Sequence, residues 1–398
     1  MKKFFVLALV ALIAMTAVFA NGSEESAAPA KGAASNTIKV AFIGNTTGDY
    51  AMYGVPVRNA VVMYFDQLNA KGGINGKQIE LVQFDDKADG VESVNSFNKA
   101  VDQGVTAVIG SVLTGATLAL SDATYEVNMP QITASATSPK VTVMDPDDPN
   151  SEVKTNVFRS CFLDPFQGEK MAEYAAKVTG AKTVAFFYEN GSDYSEAIMA
   201  GFNARAAEFG LTVVAAEAFA TGDVDYKAQM TNIAAKNPDC VLMPIYYGEA
   251  GLAITALRAA GCKAPVIGGD GFGSVKNYAS AADLEGTVYM SGYAPGTPSV
   301  AQFEADYKAT YGVEVPNMFA PLAWDASLIL AEGLKAAEAS GLKTGSAEYK
   351  QKVIDTIKNL NGLEGITGSY TFNATNDPIK SVAIIALSKG EESFARFF

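Results

Sequence analysis

Residues 38–89, IKVAFIGNTTGDYAMYGVPVRNAVVMYFDQLNAKGGINGKQIELVQFDDKAD, open with a short apolar run, pass through a segment of helical length and return to a second apolar run. A strand, a covering helix and a second strand in that order make the βαβ unit of a parallel sheet. The rhythm continues outward through a helical Val91–Gln103 and the strand-like TAVIGS at 106–111. It breaks at Val141–Asn156, whose MDPDDPN core packs acids and prolines into a surface loop. It then resumes with TVAFFYEN, LTVVAAEA, CVLMPIYY and APVIGG as strands, separated by helical stretches at 195–209, 226–236 and 249–260. Ala301–Tyr311 and Pro321–Ala339 predict long helices, and TGSYTFN and SVAIIAL predict two closing strands. Two α/β units therefore stand in series, with more elements than one sheet needs, so the chain is expected to cross between two lobes more than once. With no long linker between them, the lobes should face each other across a cleft, and ligands of open α/β sheets bind beyond the carboxyl ends of the strands.

Composition limits what such a cleft can do. The 398 residues are 49% hydrophobic and 18% charged, enough to bury sizeable cores, and they contain no histidine. Every Ser-His, Cys-His and imidazole-metal mechanism is thereby removed, leaving an enzyme only carboxylates, Lys, Tyr or a cofactor. The formal charge of −13 argues against a nucleic-acid partner, whose phosphates require Lys and Arg. Three cysteines, Cys161, Cys240 and Cys262, are too few for a disulfide scaffold, and no CxxC spacing points to a metal. Cys240 and Cys262 each precede a strand and could pair in an oxidising compartment, or remain two small buried thiols.

At the start, Lys2 and Lys3 precede an apolar run from Phe4 to Phe19, and Val18-Phe19-Ala20 closes it. This is the pattern of a secretory signal cleaved after Ala20, and the run is short for a spanning helix. No Cys follows the cleavage site to carry a lipid. Residues 21–36, NGSEESAAPAKGAASN, lack large apolar side chains and read as a flexible tether.

The strand-end loops share one character. GNTTGDYAMYG, GSVLTGAT, TASATSP, YENGSDY, PIYYGEAG and GGDGFG are rich in Gly, Ser, Thr and Tyr. Small hydroxyl residues beside glycine expose backbone N–H groups, and a helix starting just after them adds its positive end, which together cradle a carboxylate without Arg. A zwitterion also needs an acceptor for its ammonium, and Asp270, flanked by Gly268, Gly269 and Gly271, is the best placed acid. Two other motifs read as structure. Gly72, Gly76 and Lys77 imitate a phosphate loop but lack its spacing and hydroxyl, and Asp85 and Asp86 end a strand that leads into a helix capped by Asp89.

The quoted stretch, with AVIGSVLTGAT, MPQITASATSP, FRSCFLDPFQG and YYGEAGLAITALRAAG, resembles the branched-chain amino acid type of periplasmic solute-binding protein, over essentially all of the chain beyond the signal. The resemblance implies a type I periplasmic binding fold: two doubly wound α/β lobes joined by three crossovers, 37–159 plus 292–370 forming one and 160–291 plus 371–398 the other. It implies an amino acid ligand, delivery to the membrane permease of an ABC importer, a periplasmic monomer, no catalysis and no cofactor. Matched by motif, Thr114 stands where a hydroxyl receives the ligand carboxylate, Ser135 where a backbone contact is made, and Thr137 where both ends of the zwitterion are served. Asp270 stands at the ammonium position with Tyr246 beside it, and Tyr53, Tyr194 and Trp324 match pocket or hinge-facing aromatic positions. Leu113 replaces a disulfide cysteine of the best-known members, and Trp324 replaces their usual Tyr, which implies a reshaped pocket. A sensor that presents its closed form to a membrane signalling partner is the alternative to transport; no fused signalling domain is present in the sequence, which favours transport.

Overall fold

Five parallel strands form the first sheet: β1 (Thr37–Gly44), β2 (Gln78–Asp85), β3 (Ala107–Gly110), β4 (Gln131–Thr133) and β5 (Val157–Arg159), in the order β2-β1-β3-β4-β5. The computed structural model describes residues 36–398, so the expected signal at 1–20 and nearly all of the tether at 21–36 lie outside the described residues. In β1 the run Val40–Ile43 is buried on both faces, as a central parallel strand requires. The helices α1 (Ala51–Ala70), α2 (Gly90–Asp102) and α3 (Thr114–Glu126) follow β1, β2 and β3 in turn. Asp89 caps α2 by accepting from Glu92 N at 2.9 Å. The glycines before β2 serve a tight turn: Gly73 has φ +70°, and a Cβ there would lie 2.0 Å from Lys77 O. Asp85 and Asp86 brace the same end of the sheet. Asp85 accepts from Thr46 N and Lys87 N, while Asp86, fully buried, accepts from Ala88 N and from the hydroxyls of Ser93 and Ser111.

The chain then leaves this sheet through α4 (Asp164–Tyr174). A second sheet is built from β6 (Thr183–Glu189), β7 (Thr212–Phe219), β8 (Cys240–Met243), β9 (Val266–Gly268) and β10 (Val288–Ser291), with α5 (Asp193–Ala206), α6 (Lys227–Ala235), α7 (Tyr247–Ala259) and α8 (Ala281–Leu284) between them. After β10 the chain returns, and α9 (Ala301–Tyr311), α10 (Phe319–Ala339) and α11 (Ala347–Lys358) cover the first lobe, where α10 packs on α1. Strands β11 (Leu363–Gly365) and β12 (Gly368–Tyr370) pair only with each other. The third crossing leads to β13 (Ala383–Ser388) and β14 (Glu391–Phe397), which complete the order β14-β13-β10-β9-β8-β6-β7. The fold is thus the type I arrangement of two lobes and three crossovers. TGSYTFN is shorter as a strand than its pattern suggests and joins a separate hairpin, and β14 escaped the sequence reading because only alternate side chains along it are even partly buried.

The crossovers are tied together. Ser160 Oγ donates to Leu322 O at 2.8 Å, Tyr370 OH lies 3.0 Å from Asp325 Oδ2, and Lys380 Nζ donates to Thr367 O at 2.9 Å. Burial pulls the Lys380 ammonium down to about 8, with the Asp325 charge opposing that shift. Asn376 donates to carbonyls of Lys154, Thr155 and Val157, and Asp377 pairs with Arg159, so residues just beyond 370 still hold to the first lobe. Cys161, Cys240 and Cys262 are all free thiols. No described helix is long and apolar enough to cross a membrane.

Candidate functional site

The loops that leave the carboxyl ends of strands in both lobes converge on one small cavity. From the first lobe come Tyr53 in α1, Thr114 at the start of α3, and Ser135 and Thr137 after β4; from the second come Tyr194 in α5, Tyr246 before α7 and Asp270 after β9. Seven of the eight residues expected from the sequence are therefore brought together. Trp324 is not. It packs edge-on against Tyr64 and Phe303, at centroid distances of 5.0 and 5.5 Å, and is not among the residues that line the cavity. The cause is helical phase: Phe319 opens α10 and lines the cavity, and five residues further the helix has turned roughly 140° away from it. The expected reshaping of the pocket by Trp324 accordingly falls away, and Phe319 supplies the aromatic wall.

On the first-lobe side the cavity can receive an anion. The N-cap of α3 is Leu113, which has no polar side chain, so the first-turn N–H groups beside Thr114 receive no capping acceptor and keep their positive end toward the loop. Ser135 Oγ donates to Val112 O at 2.7 Å, which fixes two cavity loops to each other. No Lys or Arg lines the cavity.

Asp270 is the one acid among the lining residues, and it is 2% exposed. Its Oδ1 accepts from Tyr194 OH and from Gln167 Nε2, both at 2.9 Å, and its own N–H donates to Gln167 Oε1 at 2.8 Å. Burial pushes the carboxyl up to about 6, and the donated hydrogen bonds oppose the rise. The flanking glycines are needed here: a Cβ on Gly269 would lie 2.5 Å from Tyr194 OH, and one on Gly271 2.8 Å from Ile245 O. Tyr194 stacks on Tyr246 at 5.0 Å with planes 13° apart, and Tyr53 meets Phe319 edge-on at 4.8 Å, which makes the walls flat and apolar. Burial raises the hydroxyls of Tyr53, Tyr194 and Tyr246 well above their ordinary value, so they are neutral donors at neutral pH.

The lobes also bond directly around the cavity. Tyr53 OH donates to Gly271 O and accepts from Tyr247 N, Tyr50 OH donates to Glu249 Oε1 at 2.7 Å, Tyr247 OH donates to Asp49 O at 2.5 Å, and Lys140 pairs with Asp193 at 2.6 Å. The lobes are closed. Sequence reasoning missed Phe319, Gln167 and a further buried acid, Asp164; Asp164 heads an Asp-Pro helix start that reads as ordinary capping.

A family model of periplasmic binding proteins matches residues 37–391. The Leu/Ile/Val-binding protein BraC3 of Rhizobium johnstonii is 30% identical over 341 residues, 85% of this chain and 88% of that protein. A leucine-, isoleucine-, valine-, threonine- and alanine-binding protein of Pseudomonas aeruginosa is 28% identical over 350 residues, 86% of this chain and 88% of its own. Among solved structures, the branched-chain amino acid transporter substrate-binding protein LivJ of Streptococcus pneumoniae, in complex with isoleucine, superposes with a TM-score of 0.80 at 29% identity, covering 90% of this chain and 99% of that one. With a match that takes in every residue lining the cavity, this chain belongs to the periplasmic binding protein family.

Proposed function

We propose that this chain is the exported receptor of an ABC importer and that it closes its two lobes on an amino acid with a small apolar side chain. One observation carries the reading: an acid, Asp270, from one lobe and an uncapped helix start with a hydroxyl, Thr114, from the other face the same small, aromatic-walled cavity. A zwitterion satisfies both at once, so its binding favours the closed arrangement over the open one. The names of the relatives and the isoleucine in the pneumococcal structure agree with that ligand class. The moving bodies are 37–159 plus 292–370 against 160–291 plus the C-terminal strands. The third crossover passes near 378–382, because Asn376 and Asp377 stay with the first lobe.

Calorimetric titration with leucine, isoleucine, valine, alanine and threonine tests the reading, together with native mass spectrometry of protein purified without refolding. Saturable binding of at least one, with a smaller radius of gyration in the saturated protein, is expected; failure of all five with no retained amino acid overturns it. Thr114→Ala is expected to weaken binding by about 1–2 kcal/mol, roughly 5- to 30-fold, since the helix N–H groups remain. An unchanged affinity removes Thr114 from the contact set. Export with cleavage after Ala20 predicts a mature chain beginning at Asn21, free in the periplasm as a monomer; N-terminal sequencing of the exported protein checks the cleavage, and a retained Met1 refutes it.

A further inference from the structure

Beside the cavity lies an acid that the ligand contacts leave unused. Asp164 opens α4 fully buried, and Gln167, one turn along the same helix face, holds it against Asp270. Gln167 Nε2 lies 3.1 Å from Asp164 Oδ1 and 2.9 Å from Asp270 Oδ1. Because Gln167 Oε1 accepts from Asp270 N, the amide can only present its NH2 group to the two carboxyls. The Thr137 hydroxyl also bears on the Asp164 carboxyl and favours its charged form, while Oδ2 is buried without a close hydrogen bond.

The surroundings supply no free cation. Arg159 faces Asp164, yet its guanidinium is committed to Asp377 and to the carbonyls of Ala136 and Ser138. The other titratable groups facing the pair are Tyr53, Tyr194, Tyr246 and the Cys161 thiol, which burial raises to about 12; all are neutral near pH 7. Glu189 and Tyr50 raise the Tyr246 hydroxyl further. Two buried carboxyls that share one neutral amide do not both ionise readily, because each charge opposes the other and burial opposes both.

We propose that the ligand-free protein holds one proton on the Asp164–Asp270 pair and that the ammonium of an arriving amino acid displaces it to water, with Asp164 the positioning residue that creates the coupling. The site carries one negative charge before, as a carboxyl with a carboxylate, and one after, as two carboxylates with an ammonium. The inference rests on the ammonium reaching Asp270. A proton lost on binding makes affinity rise with pH while the free pair is protonated and level off once it has ionised. Burial in the closed arrangement raises both carboxyls, Asp270 to about 6 and Asp164 well above its ordinary value, so affinity should climb with pH through the weakly acidic range until the free pair has ionised.

Titration with L-leucine in buffers of different ionisation enthalpy should show proton release that approaches one per leucine at the acid end of pH 5–8 and falls away as the free pair ionises, with a Kd that tightens by up to about tenfold per pH unit over the acid range. Asp164→Asn should bind leucine within about threefold of wild type at pH 8 while losing the pH slope and the buffer dependence. Carboxyl 13C NMR of ligand-free wild type gives a reading independent of any ligand and of whether the variant folds: one aspartyl resonance should titrate near or above pH 6. Leucine binding with a flat pH profile and no proton release, or aspartyl resonances that all titrate below pH 5, overturns the proton pair and leaves the receptor reading intact. A high-titrating resonance in a protein that binds no amino acid supports the pair and overturns the receptor reading instead.

Discussion

Asp270→Asn is expected to weaken amino acid binding by about 2–4 kcal/mol, or roughly 30- to 1000-fold. An ammonium taken out of water between the closed lobes needs an anionic acceptor, since a buried unpaired charge costs several kcal/mol. The substitution keeps the shape, and Tyr194 and Gln167 can still hydrogen-bond the amide oxygen, so the loop after β9 should keep its course. The loss should therefore appear in Kd and much less in thermal stability. If Asp270 only organises its glycine turn, calorimetry will give near wild-type affinity with a lowered melting temperature, and the ammonium assignment fails.

The second large effect is on folding. Arg159 is fully buried at the end of β5, with Nε 2.7 Å from Asp377 Oδ1 in an ion pair whose N–H is not aligned as a hydrogen bond. Its Nη1 donates to Ala136 O and its Nη2 to Ser138 O and Thr142 Oγ1, so one side chain ties the loop carrying Ser135 and Thr137 to the third crossover. Arg159→Met should cost about 3–5 kcal/mol, because it leaves the buried Asp377 carboxylate without its cation and takes a charged donor from each of those carbonyls. Thermal melting should fall by on the order of 10 °C. Adding Asp377→Leu should restore part of the loss, as replacing both members of a buried pair with apolar groups is often close to neutral. A single variant that melts within about 2 °C of wild type would show the pair to be dispensable.

Elements with a strong local pattern were legible from the sequence. The helix at Ala301–Tyr311 falls where its pattern places it, and the six Gly, Ser, Thr and Tyr-rich loops all follow strand ends. What escaped depends on tertiary placement. Trp324 and Phe319 lie on one helix, and only the angle at which α10 packs on α1 decides which ring faces the cavity. Asp164 and Asp270 are 106 positions apart, and nothing short of the folded sheet order shows that one glutamine touches both. Strand β14 hides for a related reason: it is an edge strand recognisable by its antiparallel partner more than by its own composition.

The rim bonds between the lobes, Tyr53 to Gly271, Tyr50 to Glu249, Tyr247 to Asp49 and Lys140 to Asp193, are made by protein atoms on both sides. A molecule sealed behind them departs only after they part, so its residence time is governed by how often the rim opens, while the ranking of ligands is governed by the cavity walls. The two quantities are thus written in different residues. A substitution at Lys140 or Glu249 should shorten every occupancy alike and leave the preference order unchanged, and any force that parts the two lobes would empty the cavity by levering the rim, whatever lies inside.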